Sequence, residues 1–178
     1  GWEYWSQLQA GKSGDAYITA IELSDRGSSD AAIEALQPLI SGGSGGYPSL
    51  ARLRVAGEKL KKGDPDAALR DYEAIASDTR VPEQFRQVAR LRAGLIAVDR
   101  EAYDQVKPKL EPLATSGAAY RSIAREALGL SAWKAGAYDE AAIWFRQIVE
   151  DAGETGSIRE RASLMLDLLA GRGATGQS

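Results

Sequence analysis

The chain has 178 residues, no Cys and no His, 22 basic against 25 acidic side chains and a net charge of -3. That length suits one domain able to bury roughly 70% of its unfolded surface, and the composition excludes disulfides, thiolate and imidazole metal sites and the usual acid/base and nucleophilic residues. No long basic run exists beyond Lys59, Lys61 and Lys62, so nucleic acid is not an expected partner.

The chain opens Gly1-Trp2-Glu3-Tyr4-Trp5, with two Trp and a Tyr in five residues. Such rings suit the headgroup zone beside a transmembrane helix, or equally pack as a local aromatic cluster on the first repeat. Residues 1–12 are expected as a juxtamembrane aromatic segment, 13–171 as a repeat domain and 172–178 as a small, polar tail. Apolar stretches such as Leu95-Ile96-Ala97-Val98 are far short of the ~20 residues of a membrane span. The Gly11-Lys12-Ser13 triplet has the end of a phosphate-binding loop without its upstream Gly, since Ser6 stands there, and without a preceding strand.

From there a repeat governs the chain. Ala32, Ala68, Val106 and Ala141 are each followed, four and seven residues on, by larger apolar groups: Leu36 and Leu39, Tyr72 and Ile75, Leu110 and Leu113, Phe145 and Ile148. Twelve residues upstream of each stands a very small residue, Ala20, Ala56, Gly94 or Gly129, where two antiparallel helices can approach closely. Gly27, Gly63 and Gly136 mark three turns, and Glu101 takes that place in the third unit. Asp30, Asp66, Asp104 and Asp139 follow, where a carboxylate caps free N–H groups or meets the helix dipole. Pro108 and Pro112 should shorten or bend the second helix of the third unit. Gly42 to Gly46 reads as an inter-repeat loop, and Ile158, Ala162, Met165, Leu166 and Leu169 read as a capping helix.

Period and pattern resemble the tetratricopeptide repeat, most closely in the unit from Leu128-Gly129 to Phe145 and next in that from Gly63 to Tyr72. The expected fold is all-α: a right-handed α-solenoid of about four helix pairs plus a C-terminal capping helix. Arg52, Arg90 and Arg125 occupy a place where that repeat prefers a large apolar residue. They lie either on helix flanks with their heads paired to carboxylates, or as a guanidinium ladder facing an acidic ligand.

No carboxylate pair stands out for acid/base or metal chemistry, so no enzyme, cofactor or metal is expected, and a surface for polypeptide remains. Projected onto the repeat, the inner wall holds Tyr17, Ile21, Leu53, Leu60, Leu91, Leu95, Val98, Leu130 and Trp133, with Leu50, Val88 and Ile123 beside them. So apolar a wall is either buried or an exposed groove for protein.

Trp2-Glu3-Tyr4-Trp5, Ala51-Arg52-Leu53-Arg54, Ala89-Arg90-Leu91-Arg92-Ala93 and the run from Ala124-Arg125-Glu126 to Ala135-Gly136 are similar to the alphaproteobacterial branch of the ancillary SecYEG translocon subunit family. The resemblance implies a periplasmic domain held at the inner membrane by an N-terminal transmembrane helix, with a scaffold or chaperone-like role toward translocon components and unfolded envelope clients. An envelope or cell-division scaffold working through self-assembly, as a homodimer for example, is the alternative. The family implies no catalytic residue.

Overall fold

The computed structural model describes residues 1–173. Among them are nine α-helices and one 3-10 turn, and no strand. The helices are α1 (Trp2–Asp25), α2 (Ser29–Gly42), α3 (Tyr47–Lys61), α4 (Pro65–Ser77), α5 (Glu83–Arg100), α6 (Tyr103–Leu110), α7 (Arg121–Lys134), α8 (Tyr138–Val149) and α9 (Ser157–Ala170). The 3-10 turn, Glu111–Leu113, follows α6. The architecture is the expected all-α class of helix pairs ending in a single helix. The chain forms two compact units, Gly1–Ala89 and Arg90–Ser178, divided inside α5.

In the first unit, α1 packs on α2, α2 on α3 and α3 on α4. Ala20, Leu36, Leu39, Ala51 and Val55 form one buried cluster there, with Tyr17 and Tyr47 packed against it at 6.1 Å between ring centroids. In the second unit, α6 packs on α7, α7 on α8 and α8 on α9. Its core gathers Val106, Leu110, Leu128, Phe145, Ile148 and Leu169, all fully buried.

The small-residue rule holds through contact. A Cβ on Gly129 would stand 2.7 Å from the Phe145 ring, and one on Gly94 would overlap the Leu110 side chain. Glycine therefore lets α7 lie against Phe145 of α8, and α5 against Leu110 of α6. The first unit uses Ala20 and Ala56 at these places, both fully buried.

Gly27, Gly63 and Gly136 turn the chain with φ between +76° and +91°. In each turn the next residue's N–H reaches back across the helix end, as from Asp64 to the Lys59 carbonyl at 2.9 Å and from Ala137 to Ala132 at 2.9 Å. These bonds satisfy carbonyls that the helix leaves open. The third turn needs no positive φ, and Glu101 there accepts hydrogen bonds from Lys109 at 2.7 and 2.9 Å.

Three expectations are corrected. Residues 1–12 are not a separate element, because α1 runs unbroken through Gly11 and Gly14. A helical Gly costs about 1 kcal/mol relative to Ala, and good helix formers on both sides carry the ladder across. Asp30, Asp66, Asp104 and Asp139 occupy first turns and meet the dipole there; the carboxylate that caps is Asp64, accepting from the Ala67 N–H at 3.2 Å. Leu91 is buried in the core of the second unit rather than on a wall. As the prolines require, α6 ends after eight residues and the chain continues as the Pro112 3-10 turn. Of the expected tail, 174–178 lie outside the described residues.

Candidate functional site

The apolar wall is treated unit by unit. In the first, Tyr17, Ile21 and Leu53 are half-buried, and Leu60 near the end of α3 is exposed. In the second, Leu95 and Val98 are half-buried against the core, whereas Ile123, Leu130 and Trp133 are exposed. Those three lie seven and three residues apart on α7, hence along one side of it. Half-burial removes most of the projected wall from use, and what remains available is Leu60 on α3 and the Ile123, Leu130 and Trp133 row on α7. The projection missed four exposed groups: Leu8 and Ile18 on α1, and Leu164 and Leu168 on α9. The signal of the last two was present in sequence as apolar residues off the packing stripe of α9.

Arg52 and Arg125 are paired, not free for an acidic ligand. Arg52 donates to Asp78 at 2.8 Å and Arg125 to Asp151 at 2.9 Å, at the same 26-residue separation. Both aspartates sit just past the end of the second helix of a pair and accept a backbone N–H two residues on, Arg80 at 3.0 Å and Gly153 at 2.9 Å. Each takes a second guanidinium, Arg80 on Asp78 and Arg121 on Asp151. Those hydrogen bonds, led by Arg80 in one case and Arg121 in the other, hold both carboxyls well below the usual aspartate range. Arg125 also donates from Nε to the Ala114 carbonyl at 2.9 Å, and Arg159 donates to the Val149 and Glu154 carbonyls. Arg52 and Arg125 thus tie the first helix of a pair to the end of its own second helix, while Arg125 through Ala114 and Arg159 through Val149 also reach the end of the element before. Arg90 is half-buried at the start of the second unit.

The short α6 leaves room beside α8. A cavity of about 650 Å³ is lined by the 115–117 loop and by Arg121, Arg125, Trp144, Gln147, Glu150 and Asp151. Its cations, Arg121 and Arg125, are held by Asp151 within the lining. Beneath it the Trp144 indole donates to the Tyr103 hydroxyl at 2.9 Å, which donates to Glu140. Burial first, and the Glu140 carboxylate next, raise the Tyr103 pKa and keep the phenol protonated.

The Gly11-Lys12-Ser13 triplet lies inside α1, with the Ser13 hydroxyl accepting the Ser44 N–H at 3.2 Å. It is a fastening between α1 and the 43–46 loop, not a phosphate loop. Among the described residues no group of three or more acidic side chains is gathered as a metal ion would need, and no helix is long and apolar enough to cross a membrane.

Helix pairs closed by small residues, with positive-φ glycine turns, define a helix-pair repeat protein. The family model for the tetratricopeptide repeat-like domain matches residues 1–171, and the chain belongs to that family. Repeats of this kind serve in protein–protein interaction. No curated protein and no solved structure matches the chain significantly.

Proposed function

We propose that the chain is a non-catalytic, membrane-tethered interaction module on the periplasmic side of the bacterial inner membrane, a scaffold or chaperone-like factor beside the Sec translocon. The observation that carries this reading is the amino-terminal half of α1. Every residue from 1 to 12 is exposed, and Trp2, Tyr4 and Trp5 present their rings on a continuous helix, with Trp2 86% exposed. Rings so presented favour the membrane–water interface, with the anchor on the N-terminal side of Trp2. The resemblance of the Ala124-Arg125-Glu126 run and its echoes supplies the translocon, and the exposed row on α7 supplies a surface for an unfolded client.

The test is site-specific photo-crosslinking in cells from Leu60, Leu130 and Trp133 of the membrane-anchored protein. Adducts with translocon components and with emerging envelope proteins are expected from Leu130 and Trp133. Their absence, with the protein folded and membrane-bound, would remove the translocon role.

A further inference from the structure

The two units differ at one place, the space enclosed by a second helix, the first helix after it and that helix's own partner. In the first unit this place, among α2, α3 and α4, is small, about 220 Å³, and the Lys59–Asp71 ion pair at 2.6 Å lies within its lining. In the second unit the prolines end α6 at Leu110, and the place opens to about 650 Å³, within the roughly 300–1,000 Å³ of pockets that hold small ligands. Trp144 takes here the place that Asp71 has in the first unit, as Arg125 takes that of Arg52 and Asp151 that of Asp78. Arg121 and Arg125 share Asp151, and Arg125 also donates Nε to the Ala114 carbonyl, so the charges at the base answer one another. Glu111 and Glu150 are exposed in the same lining, and their carboxylates have no hydrogen bond or ion pair among the described residues. The half-buried Trp144 spends its single N–H inward, on the hydroxyl of the buried Tyr103, which in turn donates to Glu140. An indole has no other polar hydrogen, so toward the cavity it offers only π surface.

We propose that this cavity receives an arginine side chain of a partner polypeptide, its guanidinium against the Trp144 ring and its charge answered by Glu111 and Glu150. A planar guanidinium is the group that both stacks on an indole and bonds carboxylates through a fork of N–H donors. The lining carries three carboxylates against two guanidiniums, so the sign of the site favours a cation. An acidic side chain would be repelled by Glu111 and Glu150 and would find both arginines already bonded to Asp151. The Trp144 to Tyr103 bond holds the ring in place before a ligand arrives, which spares binding the cost of ordering it. Arg121 and Arg125 stand about half a turn around α7 from Ile123 and Leu130, so this site is separate from the exposed row on that helix. The inference does not depend on the proposed place in the envelope.

Titration of the whole chain with the capped peptide acetyl-Ala-Arg-Ala-amide tests it, followed by the NMR signal of the Trp144 indole N–H, which is assigned through its loss in Trp144→Phe. Saturable shifts of that signal are expected in the millimolar range. The same peptide with citrulline, a neutral isostere of arginine, should bind about tenfold more weakly, and the glutamate counterpart should not bind. Glu111→Gln with Glu150→Gln, both exposed, should keep the parent helicity and weaken the arginine peptide about fivefold. No saturable shift at Trp144 overturns the proposal. So does equal binding of the citrulline peptide, tighter binding of the glutamate one, or an affinity indifferent to the two glutamines.

Discussion

The two units build one repeat in different materials. The second closes its helix pairs with glycine against bulk, Gly94 on Leu110 and Gly129 on Phe145. The first closes them with alanine and adds a buried polar junction around Glu58, which is 2% exposed. Arg54 donates to Glu58 at 3.0 Å and to the Ser24 hydroxyl at 3.2 Å, while Lys61 donates to the Ser24 carbonyl at 2.6 Å. Burial alone would raise the Glu58 pKa, but Ser24, Ser29 and the Arg54 and Lys61 charges more than offset it and hold the carboxyl below its usual range. Both units keep the Arg to Asp tie. The difference teaches that the part of the repeat common to both units is the close approach and the tie from a first helix to the end of its second, and that either apolar overlap or a charge network can fill the seam.

The largest test of that contrast is Gly129→Val. Branched carbons in contact with Phe145 should cost about 3 kcal/mol of unfolding free energy by overpacking, measured by chemical denaturation. Ala56→Gly in the first unit, which only loosens the backbone, should cost about 1 kcal/mol. Equal losses would break the distinction between the two seams.

Next in size is the shared tie. Asp151→Asn leaves the buried Arg125 guanidinium without its counter-charge and should lower Tm on the order of 5 °C, with Asp78→Asn, whose Arg52 is more exposed, lowering it less. Because both carboxyls have folded-state pKa values below the ordinary one, their contribution is fully present well above the ordinary value of about 4 and drains as pH falls from there toward the lower folded-state values. The double Asn variant should therefore lose less stability between neutral and acid pH than the parent does. An unchanged acid limb would show that the ties do not set it.

The smallest effects separate the turns. Gly136→Ala forces a side chain into φ +76° and should cost about 1 kcal/mol. Glu101→Ala, at the turn without positive φ, loses only the partly exposed Lys109 pair and should cost about 0.5 kcal/mol. Reversed magnitudes, read from urea melts, would show that the ion pair rather than the backbone holds the third turn.

Much of the fold was legible because its signals are steric and local. Gly27, Gly63 and Gly136 stand where only a residue without Cβ turns easily, and Pro108 and Pro112 stand where a helix must stop. Continuity through Gly11 and Gly14 was not legible, since two glycines are the same letters in a loop and in a helix whose neighbours carry the ladder. The site was read less well. Leu91 and Leu60 belong to the same apolar projection, yet one is buried and the other exposed, because the width of a helix's covered face depends on how many neighbours it has. The arginines show the same limit: residue type left a paired head and a free ladder both open, since Asp78 and Asp151 lie 26 residues away and only packing brings them together.

One consequence of the arginine ties is kinetic. Arg125 can make both of its bonds only after the 3-10 turn and α8 have formed, because its partners come from Ala114 on one side and Asp151 on the other. It is a late-closing latch spanning three consecutive elements, and breaking it is the natural first step by which α7 would part from its neighbours. A repeat array whose bonds run mainly between adjacent elements would otherwise melt piecemeal. Latches of this kind make neighbouring pairs open together or not at all.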